Sequence, residues 1–256
     1  MTRIILLTSG KGGVGKTTIA SNLAYALTEL GEDVIAVDAN LTTPNLGLCM
    51  GIPLAQHTLH DVLRRETKLR NAVYMHPYGF KLIPASMSIK DLGGVDVGRL
   101  PSVTLSLLGQ ADYVIMDCSA GLGREATSAI AAADEIILVT NPDLPSVADA
   151  LKTANLVKKL KKRIIGVVVN RIKRKEYELS KEEIEGLIEA PVIAEIPEDV
   201  EVARSIAAKR PVVDYNPNSP AAVEIRRLAH KLTGRPFKYR RPKNFRILER
   251  LIGWMT

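Results

Sequence analysis

Gly10-Lys11-Gly12-Gly13-Val14-Gly15-Lys16-Thr17 stands directly behind an apolar run, 4–8, and directly ahead of a helix-like segment, 16–30. The spacing G-x-x-x-x-G-K-[ST], set between a strand and a helix, is that of a loop built to hold phosphates. Its glycines let consecutive backbone N–H groups turn toward one point and approach anionic oxygens with no Cβ in the way. The N-terminus of the following helix adds its partial positive charge. Gly10, Lys11, Gly12, Gly13, Val14, Gly15, Lys16, Thr17 and Thr18 are therefore the expected binding residues for a nucleoside triphosphate. Lys16 reaches the β- and γ-phosphates, and the Thr17 hydroxyl is placed to ligate Mg²⁺.

Away from this loop, apolar runs alternate with helix-like stretches. Strands are predicted over 4–8, 34–38, 113–117, 135–140, 164–170 and 192–196. Each is continuous in its apolar character, as strands covered on both faces should be. Helices are predicted over 16–30, 124–132, 146–160, 181–188 and 219–232, with Gly234 ending the last. A hairpin-like pair, 72–75 and 80–84, flanks Pro77-Tyr78-Gly79. The alternation predicts an α/β fold, a mostly parallel twisted sheet with helices on both faces, and the loop at residues 10–17 makes a P-loop NTPase the expected kind.

The 256 residues suit one large domain, and 46% apolar residues with 25% charged suit a globular core. No apolar run is long enough to span a membrane. The first strand is needed by the fold, which argues against a cleaved signal segment. Cys49 and Cys118 have no paired spacing, which argues against a disulfide framework or an intrachain metal cluster and points to a reducing cytoplasm.

Asp117 ends the apolar run Tyr113-Val114-Ile115-Met116, and a carboxylate at such a strand tip can hold Mg²⁺ through water. The box Lys11 to Thr18 resembles the deviant Walker A motif of the MinD/ParA group of P-loop ATPases, in which the first lysine is a signature. The resemblance implies ATP/ADP and Mg²⁺ as cofactors and an ATP-dependent homodimer. In it, Lys11 reaches the phosphates of the partner's ATP, a catalytic charge beside Lys16. Cys118-Ser119-Ala120-Gly121-Leu122-Gly123 looks like the family's second switch, where the Gly121 N–H can sense the γ-phosphate.

Val37-Asp38-Ala39-Asn40-Leu41-Thr42-Thr43-Pro44-Asn45-Leu46-Gly47 resembles the first switch, which usually reads Asp-x-Asp. Asp38 matches its first acidic position and is expected to orient the Mg²⁺ shell with Thr17 and Asp117. Asn40 stands where the family has the carboxylate that positions the attacking water. An amide can accept a hydrogen bond from water but cannot act as a base, which predicts slow hydrolysis. Asn170, followed by Arg171, matches the strand-end Asn that hydrogen-bonds adenine; capping of a strand–loop turn is its structural alternative. Pro197-Glu198-Asp199-Val200 looks like the loop that packs over the base.

Of the net charge of +7, +6 lies from Arg235 onward, so the body is nearly neutral. A polyanionic surface is the expected partner of such a tail. On a helical wheel Phe245, Leu248, Leu251, Ile252, Trp254 and Met255 share one half with Ile247, while Arg246, Glu249, Arg250 and Gly253 share the other. An amphipathic helix of this kind suits an anionic bilayer interface. Docking on its own body or on a partner protein is the alternative. The chain thus divides into an ATPase body (1–233), a basic linker (234–243) and an amphipathic helix (244–256). The resemblance implies a spatial regulator, peripheral on the inner face of the cell membrane, that works with a regulatory protein, as in cell division. A ParA-like partition ATPase that binds DNA is the second reading, disfavoured by the apolar terminal helix. A metallocluster carrier with Cys118 paired across a dimer is the third.

Overall fold

The computed structural model describes residues 1–52 and 54–238. The strands are β1 (Arg3–Thr8), β2 (Val34–Ala39), β3 (Tyr74–Met75), β4 (Lys81–Ile83), β5 (Tyr113–Cys118), β6 (Glu135–Thr140), β7 (Arg163–Ile172) and β8 (Val192–Pro197). They form one sheet in the order β3-β4-β2-β5-β1-β6-β7-β8. Among the described residues only the β3–β4 pair, the predicted hairpin, is antiparallel.

The helices are α1 (Lys16–Glu29), α2 (Leu46–Cys49), α3 (Leu59–Leu63), α4 (Leu100–Leu105), α5 (Arg124–Ala132), α6 (Leu144–Lys159), α7 (Lys181–Ile188), α8 (Val200–Ala207), α9 (Val212–Tyr215) and α10 (Pro220–Thr233). They cover both faces, which is why the strands read as continuous apolar runs. Successive side chains of β1 point to opposite faces. Ile4 and Leu6 join a core with α3 to α7, while Ile5 and Leu7 join a second core with α1, α9 and α10. Full burial of each such side chain stabilises by about 1.5–3 kcal/mol.

Parallel strands place all their C-terminal ends along one edge. The order reverses around β1, which has β5 on one side and β6 on the other, and open α/β sheets bind ligands outside that point. The glycine-rich loop leaves β1 there.

Among the described residues no helix is long and apolar enough to cross a membrane. The start of the basic linker lies against the body. Gly234 takes the left-handed conformation that closes α10, and Arg235 pairs with Glu32 and the Leu30 carbonyl. The residues assigned to the amphipathic helix, Phe245, Leu248, Leu251, Ile252, Trp254 and Met255 among them, lie outside the described residues.

Candidate functional site

Residues 10–17 wrap the N-terminus of α1. Gly13 and Gly15 have φ of +79° and +98°, a region that favours glycine. Two glycines are further required by neighbours. A Cβ on Gly10 would lie 2.1 Å from the Asp149 carbonyl oxygen of α6, and one on Gly15 would lie 2.3 Å from Asn170 Nδ2. Lys11, Gly12 and Gly13 are exposed at the tip, whereas Lys16 is only 8% exposed. The Ser9 hydroxyl donates to the Lys11 carbonyl at 2.7 Å, bracing the base of the tip. Thr18 lies inside α1, and its carbonyl accepts from Ser21 and Asn22.

Asp38 and Asp117 are paired neighbours at the ends of β2 and β5, and both are almost fully buried. The Thr17 hydroxyl donates to Asp117 Oδ2 at 2.5 Å. Asp117 Oδ1 is buried with no hydrogen-bond partner among the described residues. Burial pushes the Asp38 carboxyl well above the usual range and the charge of Asp117 pushes it further, while the N–H groups of Leu46 and Asn40 pull it back. Burial also raises Asp117, against the Thr17 hydroxyl and the Lys16 charge.

Two buried carboxylates beside a hydroxyl, one oxygen unpartnered, form a donor set of hard oxygens short of positive charge. That fits Mg²⁺, which takes one or two carboxylates and keeps water and phosphate for its remaining positions. Among the described residues no group of three or more His, Cys, Asp or Glu side chains could hold a metal ion.

The segment expected to be the first switch is tightly bonded. Asp38 accepts from Asn40 N at 3.2 Å and from Leu46 N at 3.0 Å. The Asn40 amide turns onto Thr43: its Nδ2 donates to the carbonyl at 2.6 Å, and its Oδ1 accepts from the backbone N–H and the hydroxyl. Asn40 therefore closes its own loop here, with both lone pairs of its oxygen engaged instead of offered to a water. The N–H of Gly121, expected to sense the γ-phosphate, donates here to the Ser9 carbonyl at 2.9 Å.

At the far end, Asn170 is 8% exposed and its Nδ2 donates to the Val14 carbonyl at 2.7 Å, so it reaches the phosphate loop itself. Arg171 is exposed with φ of +60°. Pro197 ends β8, and the Glu198 N–H donates to the Ile172 carbonyl. Asp199 caps α8 and also accepts from Ala221 N, joining α8 to α10, while Val200 is exposed. An open groove of about 980 Å³ runs along β8 and α10, past Ile172, Ala194, Val223 and Arg227, away from the phosphate loop.

Cys118 is buried, with Sγ against the carbonyls of Leu7 and Ser119, and burial pushes its thiol up to about 12. A thiol held there is not available to pair across an interface. Sequence reasoning passed over Ser9 and also His60, whose ring contacts the Leu41 carbonyl. A lone histidine carries no motif, and only the fold brings it to the first switch.

Residues 5–212 match the model of the CobQ/CobB/MinD/ParA nucleotide binding domain. The chain belongs to this family. It is a P-loop ATPase of the MinD/ParA type, homologous to the cell-division protein MinD. An uncharacterised ATP-binding protein of Methanocaldococcus jannaschii is 40% identical over 234 residues, covering 91% of this chain and 89% of its own. The septum site-determining protein MinD of Pyrococcus horikoshii, solved with Mg-ADP, superposes with a TM-score of 0.88 at 39% identity, over 91% of this chain and 96% of that one. MinD of Aquifex aeolicus, solved in a MinC:MinD complex, gives 0.82 at 30% identity, over 93% and 98%.

Proposed function

We propose that this MinD/ParA-type ATPase is a membrane switch. Mg-ATP bound at residues 10–17 brings two copies together, with Lys11 of each copy on the phosphates held by the other. The dimer then presents two C-terminal segments to an anionic membrane and recruits a regulatory partner. Thr17, Asp38 and Asp117 would hold Mg²⁺, which when bound neutralises charge on the phosphates. Asn170 and Arg171, with Pro197, Glu198, Asp199 and Val200, would form the adenine end.

The observation that carries this reading is the contrast between two lysines of one loop. Lys16 is buried in the cradle and Lys11 stands at an exposed tip, as a charge destined for a second subunit would. The helical-wheel pattern read from the sequence of 245–255 supports the membrane step. One such segment binds weakly, and two in a dimer bind far better through effective concentration. The recruitment step is supported by the complex of the Aquifex MinD with MinC. Slow hydrolysis is supported by Asn40, which lacks a carboxylate.

Sedimentation with saturating Mg-ATP tests the core of the reading. The wild type is expected as a dimer with Mg-ATP and a monomer with Mg-ADP, and Lys11→Ala as a monomer that still binds ATP. A wild type that stays monomeric, or a Lys11→Ala protein that dimerises equally well, contradicts it.

A further inference from the structure

His60, on α3, is fully buried. Its Nδ1 accepts the Ser86 N–H at 3.0 Å, and its Nε2 lies 2.9 Å from the Leu41 carbonyl. A backbone N–H can only donate, so Nδ1 carries no proton and Nε2–H is the donor to Leu41. Both ring nitrogens are thus committed, and the imidazole is neutral.

Leu41 directly follows Asn40, inside a segment tied at each end to Asp38, through Asn40 N and Leu46 N. Thr42 is bonded to Glu125 of α5, behind the second switch. The His60–Leu41 contact thus links this loop to the 84–91 segment, where the Ser86 hydroxyl is bonded to Asp91. Its removal would leave the buried Leu41 carbonyl without this partner and free the strand of loop between Asn40 and Thr43.

We propose that His60 is a positioning residue for ATP hydrolysis, fixing the 38–46 loop beside the cation end of the site through the Leu41 carbonyl. The inference rests on the reading of that loop as the first switch. His60 touches neither the phosphate loop nor the base end, so it acts on the chemical step and not on nucleotide affinity.

A second histidine supplies the comparison. His76 Nε2 bonds the Met50 carbonyl at 2.8 Å, its Nδ1 accepts the Tyr78 N–H, and its ring stacks on Phe80. The bonding pattern is the same, but its carbonyl partner is Met50, beyond α2, which reaches the Asp38 loop only through its own N–H bond to the Leu46 carbonyl. Protonation would force a proton onto His60 Nδ1, against the Ser86 N–H. Burial and the Arg64 charge oppose it, while the Leu41 carbonyl, Asp91 and Asp61 favour it. The net direction is downward, so the ring stays neutral at pH 7.

The experiment compares steady-state ATPase kinetics of wild type, His60→Leu, His60→Gln and His76→Leu, with thermal melting of each. His60→Leu is expected to lower kcat about tenfold, the scale of one lost buried hydrogen bond, with KM within about twofold. His60→Gln, whose amide can still donate to Leu41, recovers most of kcat. His76→Leu lowers the melting temperature but leaves kcat within about twofold.

Unchanged kcat in a folded His60→Leu, an equal fall in both leucine variants, or a His60→Gln that recovers no more kcat than His60→Leu overturns the inference. If His60→Leu does not fold, His60→Met, which likewise has no donor for Leu41, takes its place in the comparison with His60→Gln. A wild type without ATPase activity would instead count against the reading on which the inference rests.

Discussion

The side-chain amide of Asn170, at the end of β7, donates a 2.7 Å hydrogen bond to the carbonyl of Val14 in the phosphate loop. The reach crosses β6, which lies between β7 and β1 in the sheet. The same amide nitrogen occupies the space that a side chain on Gly15 would need. The residue expected at the base is therefore also a strut for the phosphate cradle, and the two ends of the site are mechanically one.

That dual placement separates two outcomes for Asn170→Ala. A residue that only reads adenine would weaken ATP and leave inorganic tripolyphosphate binding intact. The strut predicts that both weaken, tripolyphosphate by about fivefold to tenfold, from a buried carbonyl left unpaired. Isothermal titration with each ligand checks it; unchanged tripolyphosphate affinity would remove the strut.

Asp117 predicts a conflict between stability and function. Its carboxyl is raised by burial in the folded protein, whereas an unfolded Asp ionises at about 3.9. As pH rises past that value the unfolded chain releases its proton first, so folding loses stability until the folded group also ionises, and the penalty then persists. The ligand-free protein should melt lower at pH 8 than at pH 5. Asp117→Asn keeps an acceptor for Thr17 and carries no charge, so it should raise the ligand-free melting temperature at pH 8. It should also abolish the stabilisation by Mg-ATP over ATP with EDTA. Scanning calorimetry at the two pH values reads both effects, and a destabilised Asp117→Asn at pH 8 would contradict the account of this carboxylate.

Asn40→Asp introduces the carboxylate that the resemblance of residues 37–47 to a first switch implies at this position. A carboxylate can keep the Thr43 N–H and still accept from a water, because it has about four lone-pair sites. It loses the donor bond from Nδ2 to the Thr43 carbonyl, which should cost about 1–3 kcal/mol. The expected result is a higher kcat in a protein that melts lower. An unchanged or reduced rate would mean that hydrolysis is not limited at this position.

Much of this fold is visible in the chain because parallel strands covered on both faces leave an unmistakable trace. All six long strands lie within two residues of their expected bounds, and α5 and α7 occupy the expected residues. The elements that escaped are short. Leu46–Cys49, Leu59–Leu63 and Leu100–Leu105 span too few turns to show a period, and each is held by the few side chains it buries. The loop expected over the base turned out to include the start of α8, because Asp199 serves as its cap. At the site, glycine spacing and strand-tip carboxylates were legible since local chemistry demands them. The Asn170 strut, the inward turn of Asn40 and the His60 contact were not, because each depends on which strands become neighbours.

The most direct test of the proposed switch is co-sedimentation with liposomes containing anionic lipid, in Mg-ATP or Mg-ADP, for the full chain and for one ending at Gly234. The full chain should pellet with ATP, remain largely in the supernatant with ADP, and lose pelleting on truncation. Pelleting that ignores both nucleotide and truncation would contradict the membrane switch. No pelleting, with salt-sensitive binding to duplex DNA in its place, would favour a partition ATPase.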